Sequence, residues 1–182
     1  MELKNAAMLI VDISGYTKFI QHQNLSLLHA ESIISQLLET VIDAARHPLV
    51  LNKLEGDAAF LYAFVDDDAK DVLLDITQQT ISFFSAFQQK VIELTLDTAS
   101  CSCDACTNVD NLKLKAFLHY GAVVFKKIRH FEELAGDNVI LLHRLLKNSL
   151  VADEYILMTE PFFQTAGSGV VVDPRNWTVS IV

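Results

Sequence analysis

The chain has 182 residues, 51% of them hydrophobic, and a formal net charge of −9. That balance suits one domain with a sizeable core. The acidic surplus argues against a nucleic-acid partner, because phosphate backbones are held mainly by Lys and Arg. No apolar run approaches the roughly 18–20 residues needed to span a bilayer, and the N-terminus lacks the pattern of a signal peptide, so a cytoplasmic protein without a membrane partner is expected.

The first element is the short run Met8-Leu9-Ile10-Val11, which reads as a buried strand ending at Asp12 and followed by Ser14-Gly15-Tyr16-Thr17. A carboxylate in that place needs a partner, since desolvating it costs several kcal/mol: a turn amide, a base or a metal. Residues 25–46 carry Leu27, Ile34, Leu37, Leu38, Val41 and Ile42 at helical spacing, with Asn24 or Ser26 as N-cap and Pro48 as the stop. Two strand-like runs around Glu55-Gly56-Asp57 read as a hairpin. Asp66-Asp67-Asp68 favour the start of a long helix reaching about Leu94, in which Phe83, Phe84 and Phe87 read as core.

Residues 97–111, rich in Cys, Ser, Thr, Asn and Asp, read as a loop or insertion in a domain that otherwise spans 1–182. LKLKAFLHYGAVVFKKI reads as a second hairpin broken at Gly121, and Asp137-Asn138 cap a short helix, VILLHRLLKN. The tail alternates apolar runs (YILM, VVV, WTVSIV) with turn signals. Helices interrupting hairpins point to an α+β sandwich.

Asp12 and Asp57 can converge on one rim of the sheet if the hairpin pairs beside the first strand. Mg²⁺ is typically held by one or two carboxylates and completed by substrate phosphates, which Gly15 and the amides after it would let approach closely. The plainer alternative makes Asp12 a helix cap and Glu55-Gly56-Asp57 a turn.

Four segments carry a family resemblance. Val11-Asp12-Ile13-Ser14-Gly15-Tyr16-Thr17 resembles the D-I-x-G-F-T signature of the class III nucleotide cyclase catalytic domain, and Lys53-Leu54-Glu55-Gly56-Asp57 its K-x-x-G-D hairpin. Leu118 to Val124 is similar to its I-H-x-G-x-V-V strand, and Gly136-Asp137-Asn138-Val139 with Arg144-Leu145 to its G-x-x-V-N-x-x-x-R-L helix. The nearest likeness is to a bacterial branch of cyclase-like proteins of unknown function with a Cys-rich insert. The resemblance implies a ferredoxin-like, mostly antiparallel sheet packed with helices. It also implies two divalent ions, Mg²⁺ or Mn²⁺, on Asp12 and Asp57 with help from the Ile13 carbonyl.

It further implies a head-to-tail homodimer sharing its sites, in which ATP is cyclised to cyclic AMP and pyrophosphate. Gly15, Tyr16 and Thr17 would serve the phosphates, and Arg144 the transition state. Lys53 would read the base, with Glu133 as its acidic partner; an ammonium only donates, which suits adenine N1 and favours ATP over GTP. Two departures stand against turnover. Ile140 occupies the place of the family's ribose-orienting asparagine, and after Lys147 the only cation is Arg175, where the family has a phosphate-binding lysine. A catalytically degenerate nucleotide-binding or regulatory module, or a metal or thiol sensor working through the Cys loop, is the alternative.

Cys101-Ser102-Cys103-Asp104-Ala105-Cys106 supplies three thiols at C-x-C-x-x-C spacing. They would form most of a tetrahedral Zn²⁺ site, with a His or a partner chain as fourth ligand; reduced surface thiols and a redox switch are the alternatives. His119 reads as a packing residue, and His143 as structural or facing a partner. His22 and His29, seven residues apart, would share a helix face, and nothing near them suggests a site.

Overall fold

The run Ala6–Val11 is fully buried, and its alternate side chains enter two different cores. This is why β1 (Glu2–Ser14) lies inside the sheet rather than at its edge. The computed structural model describes residues 1–16, 19, 24–167 and 178–182. β2 (Val50–Glu55) and β3 (Ala58–Phe64) form the expected hairpin, with Gly56 at φ +68° in the turn, where a side chain would be strained. β3 runs antiparallel to β1 on one side, and β4 (Lys113–Ile128) antiparallel to it on the other.

The sheet has the order β2-β3-β1-β4-β6-β7, and β5 (Phe131–Ala135) pairs with the distal half of β4. β6 (Tyr155–Met158) and β7 (Thr178–Ile181) add the parallel pairings. One face is covered by α1 (Asn24–Ala44) and α2 (Ala69–Asp97), which bury Ile33, Ile34, Leu37, Phe83, Phe84 and Phe87 against Ala7, Leu9 and Val11. The opposite face packs Ala6, Met8 and Ile10 with Val139 and Leu142 of α4 (Asp137–Leu145). No helix among the described residues is long and apolar enough to cross a membrane.

Four local expectations change. The strand expected to break at Gly121 runs on without interruption, and the chain reverses instead at Arg129, φ +59°. Gly121 serves a close approach: a Cβ there would lie 2.6 Å from Asn138 Nδ2. Asn138 does not cap α4; its amide donates to the Ala122 carbonyl at 2.8 Å and its Oδ1 accepts from His119 Nε2 at 2.9 Å. His119 is buried, and its Nδ1 meets the Thr159 hydroxyl at 2.8 Å. Burial holds the His119 ring below its ordinary pKa, and the neutral ring satisfies both neighbours when Thr159 donates to Nδ1.

The tail contains a helix that the strand-like alternation concealed, α5 (Glu160–Ala166), which buries Phe162 and Ala166 four residues apart. Within residues 97–111 lie α3 (Asp104–Thr107) and a 3₁₀ turn, Val109–Asn111; Ala105, Cys106 and Val109 enter the helix-side core. The valines at 170–172 lie outside the described residues.

Candidate functional site

Strand register assembles the first site. Asp12, the last β1 residue paired with β3, lies across from Ala58 on β3 and from Lys115 on β4. The Ile13 amide donates to the Asp57 carbonyl at 3.1 Å, which pins the hairpin tip against the end of β1. Asp12 and Asp57 therefore share one cleft of about 460 Å³ with Ile13, Ser14, Gly15, Tyr16, Lys115, Leu146 and Asp153.

Among the described residues, the negative charge of this cleft is only partly relieved. Burial, the nearby Asp57 carboxylate and only partial compensation by Lys115 push Asp12 up to about 6. Burial also raises Asp57, against a smaller opposing backbone hydrogen bond. Two desolvated carboxylates facing one hollow favour a cation between them. Gly15 takes φ +97°, a left-handed conformation that turns the chain after Ser14. Tyr16 donates its hydroxyl to Glu31 of α1 at 3.0 Å. Thr17 and Arg175 lie outside the described residues.

Lys53, Glu133 and Arg144 do not line the aspartate cleft. Lys53 forms an ion pair with Glu55 at 3.0 Å, and Glu55 also meets His143 Nε2 at 3.0 Å. Burial would raise Glu55, but hydrogen bonds from Lys53 and His143 hold it below the usual carboxylate range. His143 Nδ1 faces the Val139 carbonyl at 2.8 Å, so His143 anchors the hairpin strand to α4. Glu133 sits on β5 opposite Lys126. Arg144 is exposed near the end of α4, and Ile140, one turn earlier, is 51% exposed.

A second cluster lies across the helix layer. His29 of α1 brings Nδ1 to 3.4 Å from Cys103 Sγ, 3.6 Å from Cys101 Sγ and 3.5 Å from Cys106 Sγ. This corrects the reading of His29 as a residue with no site near it. The three thiols differ in environment. The Cys106 amide, donating to Cys103 Sγ, lowers Cys103 to about 6, while burial pushes Cys106 upward. Asp104 and Asn108, beside these cysteines, line a further hollow of about 540 Å³ that shares Ser14, Gly15 and Asp153 with the aspartate cleft.

Sequence reasoning missed Lys115 and Asp153 in the cleft. Lys115 had a usable signal, its position on a strand alternating Lys113, Lys115, Phe117, but naming it needed the β1–β4 register. Asp153 is brought in by the connection before β6 and left no local signature.

The chain matches the profile of a family of proteins of unknown function, DUF2652, over residues 34–155. It is 37% identical over 137 residues to the uncharacterized protein Rv2561/Rv2562 of Mycobacterium tuberculosis, covering 75% of this chain and 62% of that protein; the chain thus spans less than two thirds of that relative's length. Its fold is that of class III cyclase catalytic domains. It superposes on the adenylyl cyclase CyaB from Pseudomonas aeruginosa with a TM-score of 0.62 at 16% identity, covering 90% of this chain and 81% of that one. A class III adenylyl cyclase-like ATP-binding protein from the same organism gives 0.69 at 13% identity, over 91% and 35%. The guanylate cyclase domain of RhGC from Catenaria anguillulae, solved with GTP, gives 0.62 at 13% identity, over 92% and 85%.

Proposed function

The chain belongs to the DUF2652 family, and from its cyclase fold and cleft we propose that it binds a nucleoside triphosphate, ATP in preference, through divalent cations on Asp12 and Asp57. A head-to-tail pair of chains then converts ATP to cyclic AMP and pyrophosphate. The observation that carries this reading is the convergence of Asp12 and Asp57, 45 residues apart, on one cleft beside the Gly15 turn. Mg²⁺ or Mn²⁺ held there would lower the cost of ionising the ribose 3′-hydroxyl and neutralise the pyrophosphate. In the reaction the 3′-oxygen bonds to the α-phosphorus, the bond from that phosphorus to pyrophosphate breaks, and the 3′-proton passes to water.

This chain's own groups divide the remaining tasks. Lys115, lining the cleft, supplies positive charge for the triphosphate where the family's late lysine is missing. Lys53 and Glu133 read the base, and Arg144 steadies the charge of the transition state; none of the three reaches the cleft of its own chain, so they would act on the partner's nucleotide. An apolar surface supports such pairing. Leu54 on β2 and Phe131 on β5 are 55% and 61% exposed, and Asn52 joins the two strands by donating to the Glu132 carbonyl at 3.3 Å.

Ile140 favours a second reading, binding without turnover, because an isoleucine offers the ribose no hydrogen bond. Lys53 supports it too, being already engaged by Glu55. Incubation of the purified chain with ATP and Mn²⁺, with cyclic AMP measured, separates the two. If cyclic AMP forms, mixing Asp57→Ala with Arg144→Ala chains should restore part of the activity, since one heterodimer site keeps every group. Metal-dependent ATP binding with no cyclic AMP selects the second reading. Absence of any metal-dependent nucleotide binding defeats both.

A further inference from the structure

We propose that His29, Cys101, Cys103 and Cys106 form a closed tetrahedral metal centre of the zinc class that staples α1 to the end of α2 and to α3. All four ligand atoms lie within 4.8 Å of one another. Zinc bonds of about 2.3 Å to sulfur and about 2.0–2.1 Å to nitrogen, at a tetrahedral angle, put the nitrogen about 3.5 Å from each sulfur. The three distances from His29 Nδ1 are 3.4, 3.6 and 3.5 Å. Hydrogen bonding does not account for this equality, because a ring nitrogen offers either one N–H or one lone pair, and either is directed at one sulfur. Three sulfurs nearly equidistant from one nitrogen match the distances that a shared central ion imposes.

The backbone prepares the ligands. Cys101 follows the turn that closes α2, where its amide donates to the Thr98 carbonyl at 2.8 Å. Cys103 is the N-cap of α3, and Cys106 sits in the helix it caps; the Cys106 amide points at Cys103 Sγ from 3.5 Å, a contact that favours the thiolate. Three thiolates and one imidazole select a borderline-soft ion over Mg²⁺ or Ca²⁺, and four protein ligands leave no open position for substrate. The role is therefore structural. Because α3 begins at Asp104 and is C-capped by Asn108, the centre fixes a wall of the hollow adjoining the aspartate cleft.

The full chain, purified without chelators under a phosphine reductant, should hold about one zinc per chain by atomic emission. X-ray absorption at the zinc edge should give three sulfurs and one nitrogen. Exchange with Co²⁺ should produce thiolate-to-cobalt charge transfer and the intense visible bands of a tetrahedral site. His29→Ala should lose that spectrum or bind Co²⁺ at least about tenfold more weakly, and His29→Cys should restore binding with a four-sulfur spectrum. Metal-free protein with three reactive thiols, a disulfide among the cysteines under reductant, or an absorption edge without the nitrogen would overturn the assignment. The absorption measurement needs no variant, so a His29→Ala chain that fails to fold does not protect the proposal.

Discussion

The two clusters of ligating side chains are built by opposite means. Asp12 comes from the end of β1 and Asp57 from the β2–β3 turn, and they meet because sheet register and the Ile13–Asp57 hydrogen bond bring them to one rim. Three of the four groups in the other cluster come from six consecutive residues, and only His29 arrives from elsewhere. The first is hard, oxygen-rich and short of ligands, which suits a cation shared with phosphates. The second is soft and complete within the chain. A domain can hold both without mutual interference, because each set selects a different ion.

That contrast can be broken most forcefully at Asp12. Its proton is held to about pH 6 in the fold, whereas an ordinary aspartate releases it at 3.8. The folded state thus binds the extra proton between those values, and the stabilisation, full below 3.8, is lost as pH rises through 6. In metal-free protein, Asp12→Asn should remove this loss and gain at most about 3 kcal/mol over the native chain at pH 7 in denaturant titrations. Equal stability of the two chains from pH 4 to pH 7 would mean that Asp12 is not desolvated as described.

Metal-dependent stabilisation comes next. Mn²⁺ with ATP at about a hundred times its Kd should add about 2.7 kcal/mol, raising Tm by about 5–10 °C. Asp57→Ala should lose that gain while keeping the cobalt spectrum of the Cys and His centre. Loss of both responses together would show one coupled site instead of two separate ones.

Gly121→Ala sharpens the comparison away from either cluster. Its Cβ would meet Asn138 at 2.6 Å, so overpacking should cost about 1–3 kcal/mol, and adding Asn138→Ala should recover part of the loss. The smallest effect belongs to Lys53→Ala. Its ion pair with Glu55 is partly exposed and Glu55 keeps His143 as a second partner, so thermal stability should change by less than about 1 kcal/mol. ATP affinity should nonetheless fall if Lys53 reads the base across a dimer.

These residues also mark what the sequence made legible. Asp12 and Asp57 stood out because each breaks an apolar strand pattern at a turn, a purely local signal. The β2–β3 hairpin was legible for the same reason. Lys115 was not, because its significance lies in being opposite Asp12, and register is a long-range property. His29 was hidden in the same way: helical periodicity gives its face but not the cysteines 72 or more residues away that meet it. Gly121 misled because a glycine needed for close approach of a side chain looks, in sequence, like one needed for a turn. The α5 helix was masked by a short apolar segment in which both periodicities fit.

The central claim is that Asp12 and Asp57 hold the cations through which a nucleoside triphosphate binds. Calorimetric titration of ATP into the chain, with and without Mn²⁺ and beside Asp57→Ala, tests it directly. Saturable binding that requires Mn²⁺ and disappears in Asp57→Ala, with the Cys and His centre still loaded, is the predicted result. Binding that is indifferent to Mn²⁺ or unchanged in Asp57→Ala would contradict it.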